Sequence, residues 1–145
     1  MKSLNVVAYD DKGVYLSNQS GTANELVSGT DNTYEVKVPV TDKATKIHLV
    51  ANAGDLSDTQ CQSGLDKAAI SGTITTENPV CWGMISVSDL MKAYPEISLL
   101  RQFAKVNVKY EKTTSSDFND DNTFELESFQ LYVAADKGTI APKDF

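Results

Sequence analysis

The sequence is poor in the residues that build metal and catalytic sites. Its 145 residues include one histidine, His48, and two cysteines, Cys61 and Cys81, which form no CxxC motif. A zinc site needs about four closely spaced Cys or His ligands, so this composition argues against one. The sequence also has no glycine-rich phosphate loop and no serine-centred nucleophile elbow. We therefore predict a protein that is not an enzyme and that uses no cofactor or metal.

Two weak matches to catalytic or metal sites do not change this prediction. His48 and Cys81 can be drawn as a base and a nucleophile, but His48 falls on the polar face of a predicted strand and no carboxylate stands at a spacing suited to orient it. Residues 117–122 begin like a calcium loop. Asn122 replaces the glycine at its sixth position, and Ser128 replaces the glutamate at its twelfth. A surface histidine, a structural cysteine and a solvated loop are the preferred interpretations.

The chain also lacks basic clusters and long apolar runs. It has 13 Lys and Arg against 20 Asp and Glu, a net charge of -7, and its positive charges are scattered singly. Such a surface repels phosphate backbones, which excludes nucleic acid as an expected partner. No segment approaches the ~20 apolar residues of a membrane helix, and no signal peptide is visible. Composition leaves two alternatives, a cytosolic protein or an exported one without its signal.

The two cysteines allow two interpretations. Cys61 and Cys81 are either buried thiols or the partners of a single disulfide in an oxidising compartment. The disulfide would close a loop of about 20 residues and stabilise the fold by roughly 3 kcal/mol on a chain-entropy estimate.

The residues that are present alternate as strands do. Residues 104–110 place Ala104, Val106 and Val108 on one face and lysines on the other, which predicts a strand with one buried face. The apolar residues just before them predict that the whole segment, 97–110, is central in its sheet. Further strands are predicted at residues 4–9, 14–16, 33–39, 46–52, 80–87 and 123–135.

Turn and helix signals separate these strands. Residues 10–13 predict a hairpin turn with Gly13 at positive φ, and residues 18–32 predict a loop. Leu65, Ala68 and Ala69 predict a short helix over residues 64–70. We expect the strands at 33–39 and 46–52 to pair antiparallel, and a change of phase predicts a β-bulge near residues 127–128.

Together these elements predict an all-β fold. About seven strands, one short helix and regular turn signals are typical of an antiparallel β-sandwich, and the length suits a single domain over residues 1–145. Most tyrosines and Trp82 fall on apolar strand faces, which favours core packing over a sugar-binding platform.

Four segments together resemble the N-terminal domain of the fimbrillins, the pilus subunits of Bacteroides–Porphyromonas-type bacteria. They are VVAYDDKG at 6–13, IHLVANAGD at 47–55, LRQFAKVNV at 100–108 and LESFQLYVAADKGTIAP at 126–142. Their order and spacing are those of the family and cover nearly the whole chain. The hydrophobic–Arg–x–x–Ala–Lys–hydrophobic pattern at 100–106 is the most telling part.

The resemblance implies a transthyretin-like β-sandwich in a structural subunit of surface fimbriae that serves cell adhesion. It also implies export as a lipoprotein precursor to the outer-membrane cell surface, and removal of an N-terminal segment after an arginine. The groove so opened would be filled by a strand from a neighbouring subunit. The lipoprotein cysteine, the cleavage site and a second β domain would lie outside residues 1–145. Other fimbrial subunits are the partners that the resemblance implies.

The first strand is the expected edge of that groove. Leu4, Val6 and Ala8 lie on a strand that begins almost at the terminus and is mixed on both faces, as a strand beside a removed neighbour would be. The alternative is a cell-surface module that binds carbohydrate or protein without polymerising, with host proteins or glycans as partners.

Overall fold

A computed structural model describes residues 1–25, 34–70, 78–102, 109, 128 and 138–143. The chain divides into two compact units, Met1–Ala104 with Lys137–Phe145, and Lys105–Asp136. The second unit contains only two described residues, Lys109 and Ser128, so the fold below is that of the first.

Seven strands and two short helices make up the described part of the chain. The strands are β1 (Leu4–Tyr9), β2 (Tyr15–Ser20), β3 (Thr22–Glu25), β4 (Tyr34–Lys37), β5 (Lys46–Ala51), β6 (Cys81–Ser86) and β7 (Leu100–Arg101). The helices are α1 (Asp58–Gln62) and α2 (Val87–Leu90). The five-stranded sheet has the order β2-β1-β5-β6-β7, and β3 pairs with β4 in a second sheet. All pairings are antiparallel.

The inner strands β1 and β5 of the larger sheet are buried on both faces. Every residue of β1 is buried, and so is every residue of β5 except Lys46. Alternate side chains build two hydrophobic clusters, one on each side of the sheet, because successive strand residues point to opposite faces. We call these the α1 face and the β3–β4 face, after the elements that cover them.

The α1 face is covered by short segments from distant parts of the chain. Val7, Val50 and Trp82 of the sheet pack against Leu56, Cys61, Leu65, Ala68, Val80, Ile140 and Ala141. Backbone hydrogen bonds from the Ile140 N–H to the Ala68 carbonyl and from the Ala141 N–H to the Leu65 carbonyl, both 3.0 Å, fix residues 140–141 there.

The β3–β4 face is covered by the second sheet and by the segment after α2. Leu4, Val6, Ile47, Leu49 and Ile85 of the sheet pack against Ala23, Val36, Val38, Val87, Leu90, Ile97 and Leu99. Residues 97–99 approach β6 closely at Gly83, where a Cβ atom would lie 2.8 Å from the Leu99 Cδ2 atom and 2.8 Å from the Ser98 carbonyl oxygen.

Local sequence explains the helix starts and the first turn. Ser57 caps α1 in a capping box with Gln60, and Ser86 caps α2 through the Asp89 N–H. Gly13 has a φ of +76°, as the β1–β2 turn requires, and its N–H donates to the Asp10 carbonyl.

The all-β, sandwich-like prediction is confirmed, and the strands at 4–9, 46–52 and 80–87 are found within one residue of their predicted bounds. Three details are wrong. The predicted loop at 18–32 contains the end of β2 and all of β3. β4 pairs with β3, and β5 with β1 and β6, so the expected β4–β5 pair is absent. The helix lies at Asp58–Gln62, before the predicted 64–70, and Ala69 of the predicted stripe is exposed.

Of the predicted central strand at 97–110, the structure describes residues 97–102 and Lys109, and among these only Leu100–Arg101 form a strand, which pairs with β6 at one end of the described sheet. Residues 103–108 and 110 lie outside the described residues. The strand at 123–135, the β-bulge and the calcium-like loop lie outside them too, apart from Ser128. Among the described residues, no helix has the length and apolar character needed to cross a membrane.

The close approach at Gly83 generates a stability prediction. Gly83→Ala should lower the free energy of unfolding by about 1–3 kcal/mol, because the new methyl group overlaps the Ser98 backbone, which cannot rotate away as a side chain can. Urea unfolding followed by Trp82 fluorescence measures this. Glu35→Ala, on an exposed position of β4, is the control and should change stability by less than about 0.5 kcal/mol. Equal effects would mean that residues 97–99 do not pack on β6.

Candidate functional site

The predicted groove edge is not at an edge. Leu4, Val6 and Ala8 lie on β1, which pairs with β2 on one side and with β5 on the other through six residue pairs. Their side chains are 5%, 1% and 1% exposed and pack on the β3–β4 face. The edge prediction is therefore wrong. β1 is apolar on both faces because other parts of the chain cover both sides of the sheet.

The described sheet ends instead at β2 and β7. Among the described residues, β2 pairs with β1 alone and β7 with β6 alone. β2 is six residues long, and its last four, Ser17 to Ser20, are all polar; β7 has two residues. β2 therefore offers the longer described run of backbone for pairing with another chain.

The two cysteines are thiols in this structure. Cys61 is fully buried on the α1 face, with Trp82 in the same cluster, whereas Cys81 packs on the β3–β4 face. Neighbouring residues of a strand point to opposite faces, so the sheet separates the Cys81 side chain from Cys61. A disulfide needs side chains that point toward each other, which explains why the disulfide interpretation does not hold here.

An aromatic cluster links four strands on the α1 face. The Trp82 Nε1–H group donates a 3.1 Å hydrogen bond to His48 Nδ1, and the Tyr9 ring meets the His48 ring edge-on with centroids 5.0 Å apart. The Tyr9 hydroxyl donates to the Cys61 carbonyl at 2.7 Å, and the Tyr15 hydroxyl donates to the Asp58 carboxylate. The cluster therefore joins β1, β2, β5 and β6 to α1.

Burial sets the protonation states of this cluster. His48 is 3% exposed, and loss of solvation lowers its pKa to about 4. Its ring is therefore neutral at pH 7, with Nδ1 as the acceptor for Trp82. Burial also raises the pKa of the Cys61 thiol to about 11 and the pKa of Tyr9 above its usual value. The prediction of a surface histidine is wrong, because residues after β5 and near 140 cover the face on which it lies.

A small cavity of about 160 Å³ adjoins this cluster. It is lined by Tyr9, Gly13, Lys46, His48, Gly64, Leu65 and Asp66. Among the described residues, no group of three or more His, Cys, Asp or Glu side chains is arranged to hold a metal ion.

The aromatic residues divide between core and surface. Trp82 and Tyr9 are 5% and 7% exposed, as core packing predicts, whereas Tyr94 is 96% exposed. Sequence reasoning missed both the Trp82–His48 hydrogen bond and the exposure of Tyr94. The register pairs His48 with Met84 and Val50 with Trp82, so only the β5–β6 ladder reveals that His48 and Trp82 share a face.

The depressed pKa of His48 predicts a pH dependence of stability. An unfolded chain takes up a proton near pH 6.5, while the folded chain does not until about pH 4, so the free energy of unfolding should fall as pH falls through this window. The loss between pH 7 and pH 5 is about 2 kcal/mol. Urea unfolding at each pH, followed by Trp82 fluorescence, measures it. His48→Gln should lose the part of this pH dependence that comes from the histidine. A His48→Gln variant whose stability varies with pH as the wild type's does would contradict the assignment of the effect to His48.

The placement of the cysteines predicts thiol reactivity. Protein isolated without reductant from the organism that makes it should yield two thiols with Ellman's reagent after unfolding. Cys81→Ser should then keep one thiol, Cys61, which reacts only after unfolding because it is buried and its pKa is raised. Absence of reactive thiols in the unfolded wild type would show a disulfide.

Comparisons with known proteins give one family. A search of curated proteins gives no match, and a search of solved structures gives none either. The family model described as "Fimbrillin-A associated anchor proteins Mfa1 and Mfa2" matches residues 1–145. The family description indicates a fimbria-associated role, association with fimbrial subunits and a location at the cell surface. The chain therefore belongs to the family of fimbrillin-A associated anchor proteins Mfa1 and Mfa2.

Proposed function

We propose that this protein is a structural subunit of surface fimbriae at the outer membrane and serves in cell adhesion. It assembles with other subunits by accepting an added β-strand, and it performs no catalysis. The family match over residues 1–145 carries the proposal. The two packed antiparallel sheets support it, because an open sheet edge is what strand addition uses. We also infer that the sandwich is of the transthyretin type.

The edge of β2 is the proposed acceptor. β1 is excluded because both of its edges are already paired within the chain. β2 offers six residues against the two of β7, and its polar side chains do not need burial for pairing, since backbone groups supply the bonds. Its side chains from Tyr15 to Asn18 are half-buried, which gives an added strand a partly covered surface to lie beside.

The surroundings of His48 and of the two cysteines support a role without catalysis. His48 Nδ1 already accepts the Trp82 hydrogen bond, and the histidine is buried. The Cys61 thiol, with a pKa of about 11, is protonated at neutral pH, whereas a nucleophilic cysteine needs a thiolate. Cys81 lies on the opposite face of the sheet from His48. The pair considered from the sequence is therefore separated.

Site-specific crosslinking in cells that make the fimbriae tests the proposal. A photo-crosslinking amino acid at Gln19, an exposed residue of β2, should capture another fimbrial subunit. The same group at Glu35, an exposed residue of β4, is the matched control and should capture it several-fold less. Mass spectrometry identifies the adduct. Equal capture from both positions would contradict the β2 acceptor.

Proline substitution separates strand addition from docking through side chains. The Gly21 N–H points to β1, where it donates to the Leu4 carbonyl at 2.8 Å, so in an antiparallel ladder the Gln19 N–H points to β1 and the Ser20 N–H points away. Ser20→Pro should leave the fold intact and abolish subunit capture, because it removes a donor on the outer edge only. Gln19→Pro should destabilise the fold. A folded Ser20→Pro variant that still assembles would overturn strand addition at β2.

A further inference from the structure

A surface groove lies beside α2, at the other end of the sheet from β2. It has a volume of about 500 Å³ and is lined by Met84, Ile85, Ser86, Asp89, Lys92, Tyr94, Pro95 and Glu96. β6, which forms one wall, is separated from β2 by β1 and β5. This groove, called the α2 groove below, is therefore distinct from the proposed strand acceptor.

Exposed apolar side chains are frequent in the part of the chain that forms the α2 groove. Among the described residues, seven large hydrophobic side chains are more than a third exposed, and four of them, Met84, Met91, Tyr94 and Leu100, lie within residues 84–100. Leu100 stands opposite Trp82 in the ladder, on the same side of the sheet as Met84. Met84 and Tyr94 line the groove itself, and exposed apolar surface rimmed by polar residues is typical of an interaction site.

The charged side chains that line the α2 groove are two carboxylates and one lysine. Lys92 donates to Asp89, and this is the only ion pair in the described part of the chain. The Asp89 carboxylate also accepts from the Ser86 hydroxyl, and the Asp89 backbone N–H donates to Ser86 Oγ in the helix cap. Glu96 has no such partner among these residues, so the groove carries one net negative charge, in a chain whose net charge is -7.

We propose that the α2 groove binds a peptide segment of a partner protein in which a lysine or arginine is flanked by apolar residues. The apolar stem of the basic side chain packs on Met84 and Pro95, its charged head meets Glu96, and the exposed Tyr94 ring offers a cation–π surface. The acidic chain adds long-range attraction for a basic segment.

The polar groups favour a peptide over a sugar. Sugar sites present several hydrogen-bonding side chains to the hydroxyls of the ligand. Here Ser86, Asp89 and Lys92 are already bonded to one another. The remaining recognition elements are one carboxylate and apolar surface, which match a basic side chain and its apolar neighbours.

Titration of the full chain with synthetic peptides tests the proposal. The probe is acetyl-Leu-Arg-Leu-Arg-Leu-amide, and the comparison peptides carry citrulline or glutamate in place of arginine. Isothermal titration calorimetry should show binding of the arginine peptide only, and the binding should weaken as salt is raised to about 0.5 M. Glu96→Gln should weaken it about fivefold, as the loss of one surface charge pair implies. Tyr94→Ser should weaken it by at least as much.

Matched controls make the result decisive. Val40→Ser changes another exposed apolar residue, 44% exposed, in the β4–β5 loop, and should leave binding unchanged. Tyr94→Ser and Glu96→Gln should unfold at the wild-type urea concentration, because both side chains are exposed. Equal binding of the glutamate peptide, or no effect of either variant, would overturn the proposal. Absence of peptide binding would also overturn it. Binding of lactose or galactose that depends on Tyr94, in the absence of peptide binding, would do the same. Crosslinking at Gln19 is unaffected by any of these outcomes.

Discussion

The pairing of β1 with β5 is the constraint on which the rest of the structure depends. Six residue pairs join the two strands, and together they place apolar side chains on both faces of the sheet. A sheet that is dry on both sides needs two covers, and the chain supplies α1 with residues 65–68 and 140–141 on one side and the β3–β4 sheet on the other. The outer strands of the described sheet, the buried histidine and the α2 groove all lie around this pair.

Much of this fold could be predicted because local patterns specify it. Alternating residues gave β4 and β5, the Asp10–Gly13 stretch gave the first turn, and the strand runs gave β1 and β6 nearly to the residue. These features depend on neighbours within a few positions, which sequence shows directly. β2 and β3 were missed in part because their Ser, Asn and Thr residues pair through the backbone and leave no apolar periodicity.

The site was harder to predict because it depends on which strands are neighbours. β1 has the same sequence whether it lies at an edge or inside a sheet, and only β2 and β5 on either side decide. His48 was assigned to water because Lys46 shares its face of the strand, whereas Trp82 and Tyr9 from neighbouring strands contact its ring in the core. Cys61 and Cys81 are 20 residues apart in sequence but lie on opposite sides of one sheet.

The cover formed by residues 140–141 has a consequence for the speed of folding. Ile140 and Ala141 are 1% and 0% exposed and bond to Ala68 and Leu65, more than 70 positions earlier in the chain. Contacts that distant are slow to form, because the entropy of closing a long loop must be lost before they contribute. The β1–β2 hairpin can form early, but the α1 face closes only after these late residues have been synthesised. A subunit threaded through a membrane would therefore complete the α1 face only after residues 140–141 had crossed.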